Sequence, residues 1–329
     1  VNPGGYCTSF VNKGFHFDSC AHALSSLRDK GRLRVILNEL DLPGVLNIRR
    51  YDPPEIIITP KHKILINQEI IQTINNFQTA FPKENKQVNE FLNLIAFSPN
   101  SKIMQFRSKS FEDLILSYFV DKELIAVFLT IPFLLAGVFS FQLSAVVGCL
   151  LWREFMLDGG YYPEGGMQGF SDSLLKKFSD FQGDILLKKR AKKIIIKNKR
   201  VEGIILDDGH SILSKYVVSA CDARQTFLEL IDRPELEEDF INKLNLMLPS
   251  YSGFMVYLGL DKSFPFPAEL KSNLYVINSD NLKTIHANFL NFDNQHYVIT
   301  SPSMKDNLET NKISICLSSN AIYKEVDYW

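Results

Sequence analysis

From Leu124 to Trp152 the chain carries no charged residue, a 29-residue run bounded by Glu123 and Arg153. About 20 apolar residues are enough to cross a bilayer, so this run sets the first question about the fold. Pro132, Gly137 and Gln142 interrupt it, with Ser140 and Ser144 beside them. Proline removes a helical hydrogen bond and glycine suits a helix end. We therefore expect two buried helices lining an apolar cavity, or partly dipping into a membrane, rather than one spanning helix. Apolar types make up 46% of the 329 residues and charged types 22%, which excludes a disordered chain. The length implies one large or two intertwined domains, and 25 Phe residues imply a voluminous apolar interior or groove.

Thirty-six basic residues against 37 acidic ones leave a net charge of −1. Phosphate binding needs an excess of Lys and Arg, so nucleic acid is not an expected partner. The basic cluster Lys188–Arg200 surrounds apolar Ile194–Ile196 and lacks interleaved aromatics. It reads as the solvated arms of a β-hairpin, with contact to anionic lipid as the other reading. The cysteines (7, 20, 149, 221, 316) are odd in number and never at CxxC spacing, and the six histidines form no HExxH. No metal site is expected, and a reducing compartment is the natural setting. Val1 is not an initiator Met and no secretory signal follows it, so both ends read as truncations.

Along the chain, Thr8–Phe10 and Phe15–Asp18 read as a strand pair turned at Lys13-Gly14. Glu55–Thr59 and Lys63–Ile66 form a second expected hairpin around Pro60-Lys61-His62, and Gln68–Phe81 an amphipathic helix stopped by Pro82. A helix is expected over Gly169–Phe181, followed by strands at Ile185–Arg190, Ala191–Lys197 and Arg200–Leu206. Asp207-Asp208-Gly209 turns the chain toward a buried strand at Tyr216–Ala220, with Asp222 opening the helix Ala223–Ile231. Further strands fall at 251–260 and 296–300.

Candidate functional residues are few. The paired glycines Gly4-Gly5, Gly159-Gly160 and Gly165-Gly166 let backbone approach a bulky planar or phosphate-bearing ligand. His22 and Glu164 are the titratable candidates for catalysis, although a structural histidine and a loop carboxylate are the plainer readings. No Ser-His-Asp or Cys-His order and no GxSxG supports hydrolase chemistry. These features indicate an apolar ligand and a nucleotide-like layer.

Two stretches go further. Pro3-Gly4-Gly5, then Gly14-Phe15-His16-Phe17-Asp18 and His22, resembles the segment that follows the dinucleotide-binding βαβ unit in the phytoene desaturase family. That family comprises carotenoid desaturases, carotenoid isomerases and retinol saturases. Gly160-Tyr161-Tyr162-Pro163-Glu164-Gly165-Gly166-Met167, then Asp208-Gly209 and Val217-Val218-Ser219-Ala220-Cys221-Asp222, resembles a second block of the same family in order and spacing. A weaker echo is Pro302-Ser303, Ile313–Leu317 and Tyr328-Trp329. The family's strand-GxGxxG-helix would lie upstream of Val1. Cys20 stands where glycine is common, and Ala220 and Cys221 replace the usual Asn and Ala.

The resemblance implies an α/β fold, an FAD/NAD(P)-binding Rossmann-like three-layer domain, incomplete, with an inserted substrate domain. The cofactor domain would comprise 1–35, 155–245 and 300–329; the substrate-binding, membrane-associating domain would comprise 36–154 and 246–299. It implies an FAD-dependent oxidoreductase acting on C=C or C–C bonds of a polyisoprenoid or carotenoid-like apolar substrate, cytoplasmic and peripheral to a membrane. Pro3, Gly4, Gly5, Gly165, Gly166, Met167 and Ala191 would contact the cofactor, Asp222 would cap a helix, and Phe128, Phe133, Phe139 and Phe141 would wall a substrate tunnel. The alternatives are an apolar-ligand carrier without redox activity and an amine-oxidase-like flavoenzyme.

Overall fold

The computed structural model describes residues 2–247, 250–261, 266–278, 296–306 and 312–321. They form two compact units, one of Asn2–Phe181 with Ser250–Trp329 and one of Gln182–Pro249. In the larger unit, β1 (Ser9–Asn12) and β2 (Phe15–Asp18) form the expected antiparallel hairpin. β3 (Ile48–Arg50) is followed by β4 (Glu55–Ile58) and β5 (Lys63–Ile66), the second expected hairpin, and later by β6 (Tyr161–Pro163), which pairs with β3. The smaller unit holds β7 (Ala191–Lys197), β8 (Arg200–Leu206) and β9 (Ser211–Leu213) in an antiparallel meander. The larger unit resumes with β10 (Ser252–Asp261), β11 (Asn273–Val276), β12 (Tyr297–Thr300) and β13 (Lys312–Ala321).

The main sheet runs β10-β13-β12-β11-β4-β5, parallel only between β11 and β4. β4 reads Glu-Ile-Ile-Ile and its first three residues are buried, the near-continuous apolar pattern of a strand covered on both faces. Register places Glu55 opposite Asn273 and Ile57 opposite Tyr275. That pairing brings a carboxylate and an amide together inside the unit, where neither could be left without a partner cheaply.

The uncharged run forms two helices, as its interruptions suggest. The first spans Lys122–Ala136; the Asp121 carboxylate accepts the Glu123 and Leu124 amides at 3.0 and 3.1 Å, and Gly137 ends the helix at φ +61. The second, Ala145–Leu151, runs into a π-helical turn over Trp152–Leu157. No helix among the described residues is long and apolar enough to cross a membrane. Pro132 lies inside the first helix and cannot donate to the Phe128 carbonyl; Trp152 Nε1 donates to that oxygen instead, at 3.1 Å.

Phe128 therefore sits in the core, correcting the expectation that it walls a tunnel. Its ring packs against Phe119, Phe91 and Trp152 at 5.0, 5.0 and 4.7 Å between centroids. Phe133 and Phe139 stack on each other at 4.9 Å, and Phe141 is half-exposed.

The amphipathic helix spans Ile70–Ala80 with Pro82 just beyond it. The helix expected from Gly169 begins at Gly166, because the β1–β2 hairpin caps its first turn: Asp18 accepts the Met167 amide and Ser9 Oγ the Gln168 amide.

In the smaller unit, Lys193 pairs with Asp232 at 2.5 Å, Lys197 with Glu202 at 3.1 Å and Lys189 with Asp208, the solvated hairpin arms expected of the basic cluster. Asp222 caps the helical turn beyond it by accepting the Arg224 and Gln225 amides. Two expected strands are absent. Ile185–Arg190 is irregular, with Ile185, Leu186 and Leu187 exposed. Tyr216–Ala220 is not a buried strand: Tyr216 is 84% and Val218 95% exposed. An apolar run becomes a strand only where a neighbour takes its backbone groups, and no described strand pairs with either segment.

Candidate functional site

The larger unit holds a cavity of ≈ 380 Å³. Leu134 and Leu135, at the end of the Lys122–Ala136 helix, form part of its apolar wall with Phe155, Met255 and Val298. The uncharged run thus does line an apolar cavity, but with these leucines. Glu55, Asn273, Tyr275 and His22 line the same space.

Glu55 is 2% exposed. Its Oε1 accepts from Asn273 Nδ2 at 3.0 Å, whereas its buried Oε2 has no hydrogen-bond partner. Burial pushes this carboxyl up to about 8, against the opposing pull of Lys305, the Asn273 bond and Arg50. Lys305, 3% exposed, donates to Asn273 Oδ1, to Thr300 Oγ1 at 2.7 Å and to the His22 carbonyl at 3.0 Å. Desolvation lowers its ammonium to about 8, while Glu55 and Asp18 pull the other way. Glu55, Asn273 and Lys305 are thus one buried polar chain.

Gly159 borders the chain. A Cβ there would overlap the Phe155 carbonyl oxygen and lie 3.1 Å from Glu55 Oε1. Gly160, at φ +76, has the β-carbon of Pro54 where its own Cβ would be.

A second buried hub is Asp18, which accepts from Tyr162 OH at 2.6 Å, Ser9 Oγ at 2.7 Å and the Met167 amide at 3.2 Å. Desolvation raises its carboxyl despite those three bonds. A further cavity of ≈ 440 Å³ is lined by Leu27, Leu37, Leu42, Arg34, Arg50 and Tyr161 among others. Its guanidinium groups are already engaged: Arg34 donates to the Leu27 carbonyl, and Arg50 to the carbonyls of Leu157 and Gly159. Among the residues named as lining it, there is no carboxylate or histidine.

His22 lines the Glu55 cavity, half-buried, with Nδ1 3.4 Å from the Cys20 carbonyl. Desolvation and Lys305 lower it to about 4, so its ring is neutral at pH 7. Glu164 is exposed and accepts from Asn47 Nδ2 at 3.1 Å, apart from that cavity. Gly165 donates its amide to Asp306 Oδ1 at 3.0 Å, and Gly165 and Gly166 both hold positive φ at the helix start. Met167 is fully buried beside Tyr161, Tyr162 and Leu24. Pro3 accepts from Gln168 Nε2 at 3.2 Å; Gly4 is crowded by Ser171 and Cys7, and Gly5 is open, with nothing within 4 Å of where its Cβ would be. Ala191 opens β7 in the smaller unit. Tyr328 and Trp329 lie outside the described residues.

Sequence reasoning missed Glu55, Asn273 and Lys305. The available signal was an acid directly after Pro53-Pro54 at the head of a wholly apolar strand, where a solvated strand end is the ordinary reading.

No family model matches the chain. It is 25% identical over 309 residues to a prolycopene isomerase of Daucus carota, covering 84% of this chain and 50% of that protein. It is 21% identical over 382 residues to an all-trans-retinol 13,14-reductase of Danio rerio, covering 99% of this chain and 61% of that one. The chain is a relative of the phytoene desaturase family. This desaturase-like chain spans about half the length of the isomerases it matches. Its fold is also that of an oxidoreductase from Methanosarcina mazei, with a TM-score of 0.74 at 18% identity over 99% of this chain and 74% of that one. The expected mixed α/β architecture is therefore borne out.

Proposed function

We propose that the chain belongs to an FAD-dependent oxidoreductase that acts on the C=C or C–C bonds of a polyisoprenoid substrate by desaturation, isomerisation or saturation. The observation that carries this reading is the ≈ 380 Å³ cavity, mostly apolar in its walls and bordered by Glu55 and Asn273, in a relative of carotenoid isomerases. Leu134, Leu135, Met255 and Val298 would hold an apolar chain by dispersion and exclude water. The neutral His22 ring presents no charge to such a substrate.

The region of the chain assigned to the cofactor fits a ligand. Gln168 Oε1 is buried without a partner, and its Nε2 is tied to the Pro3 carbonyl next to the open Gly5. Within the larger unit, Pro3, Gly4, Gly5, Gly165 and Gly166 would border FAD. Bound FAD supplies a two-electron carrier for hydride removal or return. Membrane contact is part of the same proposal, since a polyisoprenoid resides in a bilayer; the exposed apolar Phe97, Val120, Phe141 and Val147 suit it.

The test is to purify the full-length protein, record its flavin absorbance and incubate it with poly-cis carotenes and with phytoene. Co-purified flavin and a shifted polyene spectrum are expected. An absence of flavin together with extractable unaltered lipid would replace the reading with an apolar-ligand carrier.

A further inference from the structure

We propose that Cys7 and Cys20 are a redox-responsive dithiol, which closes to a disulfide across the first strand pair by exchange with a low-molecular-weight disulfide and reopens when small thiols dominate. The proposal stands apart from the functional reading above, because it rests on the β1–β2 ladder and not on any ligand.

The ladder fixes the pairing. β1 and β2 run antiparallel in the register Ser9↔Asp18 through Asn12↔Phe15. Two backbone bonds carry that register past the strand ends: the Ser19 amide donates to the Thr8 carbonyl at 2.8 Å, and the Ala21 amide to the Tyr6 carbonyl at 3.1 Å. Antiparallel partners alternate between hydrogen-bonded and non-hydrogen-bonded positions. Thr8 with Ser19 and Tyr6 with Ala21 take the bonded positions, so Cys7 and Cys20 share the non-hydrogen-bonded one between them. Side chains meet across this ladder at each of the next three pairs. Thr8 Oγ1 and Ser19 Oγ lie 2.9 Å apart, Ser9 Oγ donates to Asp18 Oδ1 at 2.7 Å, and the Phe10 and Phe17 rings are 5.4 Å apart between centroids. Cα atoms in a non-hydrogen-bonded pair stand about 4.5 Å apart, within the range of about 4.4–6.8 Å that a disulfide bridges. Both thiols are free. Burial and then the neighbouring Cys7 raise the Cys20 thiol, as two sulfurs on one face of a ladder require. Cys149 and Cys316 are buried elsewhere, and Cys221 belongs to the smaller unit.

Exposure sets the order of events, since Cys20 is exposed and Cys7 half-buried. The Cys20 thiolate attacks one sulfur of a small disulfide, forming a mixed disulfide and releasing one small thiolate. The Cys7 thiolate then attacks the Cys20 sulfur, the Cys7–Cys20 bond forms, and the second small thiolate leaves. Two protein thiols are oxidised and one small disulfide is reduced to two thiols, which take up the two protons that the cysteines lose. In a reducing compartment, protein disulfides are usually transient and redox-sensing, and exposed ones are the labile, regulatory ones. The position gives such a bond something to act on. Cys20, Ala21 and His22 line the ≈ 380 Å³ cavity. Cys7 closes the turn that begins at Gly4, its amide bonded to the Gly4 carbonyl at 2.9 Å. Oxidation therefore fastens that glycine turn to the wall of the cavity.

The test treats the full-length protein with oxidised glutathione at about pH 8, where exchange proceeds through the thiolate fraction. Remaining thiols are then alkylated, and the peptides are mapped by mass spectrometry without reduction. Wild type should yield a cross-linked peptide pair joining Cys7 to Cys20, lighter by the two thiol hydrogens and released by dithiothreitol. Cys7→Ser removes the resolving thiol at nearly unchanged size, so this variant should retain on Cys20 a glutathione adduct that wild type loses. The wild-type map alone decides the pairing, whatever the variant's folding. A wild-type protein that keeps glutathione on Cys20 while Cys7 is alkylated overturns the proposal. So does one that links Cys20 to Cys221 or to a second molecule, or one in which Cys7 and Cys20 both end alkylated. Each of these outcomes leaves the functional reading untouched.

Discussion

Asp18 shows how one buried side chain holds several segments. It ties β2 to β6 through Tyr162, to β1 through Ser9 and to the start of the Gly166–Asp180 helix through the Met167 amide. Each bond replaces water that burial removed, so losing one leaves the carboxylate underserved. Tyr162→Phe deletes the 2.6 Å bond with little change in shape. A bond to a charged group of this kind contributes about 1.5–3 kcal/mol. Urea unfolding should show a stability loss in that range, and a loss under about 0.5 kcal/mol would mean the hub carries no such weight. Both Asp18 and Glu55 appear in the sequence as ordinary acids at strand ends. Asp18 became visible through its family motif, whereas Glu55 had none, and its meaning depends on a cross-strand register with Asn273, 218 residues away. Register between distant strands is set by tertiary packing and cannot be read locally.

At the level of elements, the uncharged run was legible because its interruptions are local. Gly137 ends one helix in a left-handed conformation and Ser144 precedes the next, a division that a spanning helix would not contain. What could not be read was the compensation for Pro132. The proline leaves the Phe128 carbonyl without its helical donor, and Trp152, from the turn after the second helix, supplies one. The two residues should therefore be coupled. Trp152→Phe orphans that carbonyl, costing about 1–3 kcal/mol for the polar group in addition to lost packing. In a Pro132→Ala background the restored amide donates to the same oxygen, so Trp152→Phe should cost about 1 kcal/mol less. A double-mutant cycle in urea measures this directly, and additive costs would show that Trp152 contributes by packing alone. The failed strands have the opposite cause. Tyr216–Ala220 has the right composition, but strand formation depends on a neighbour, and none of the described strands pairs with it.

At the scale of the whole molecule, stability should depend on pH through groups buried in uncharged form. His296, 7% exposed, accepts the Asn278 amide at Nδ1 at 3.1 Å, which places its proton on Nε2, itself buried without a partner. Desolvation lowers it to about 4. In the unfolded chain histidine binds a proton below about 6.5, so between pH 6.5 and 4 the unfolded state holds more protons than the native state. Stability therefore falls as pH drops through that window and levels off below it. A gap of that width corresponds to about 3 kcal/mol. His22, lowered to about 4, acts in the same direction. Glu55 acts oppositely: raised to about 8, it remains protonated in the native state while the unfolded carboxyl ionises. Its contribution is complete below about pH 4.5 and is lost as pH rises toward 8. The two opposing slopes overlap, so a single melting curve against pH would blur them, and variants are needed to separate the groups. His296→Gln retains an acceptor for the Asn278 amide without a titrating ring. Its melting temperature should fall less than that of wild type between pH 7 and 4.5. Glu55→Gln should instead flatten the decline from pH 5 to 8. Equal acid sensitivity in wild type and His296→Gln would show that His296 reaches solvent in the folded chain, and that its burial does not set the acid limit of the fold.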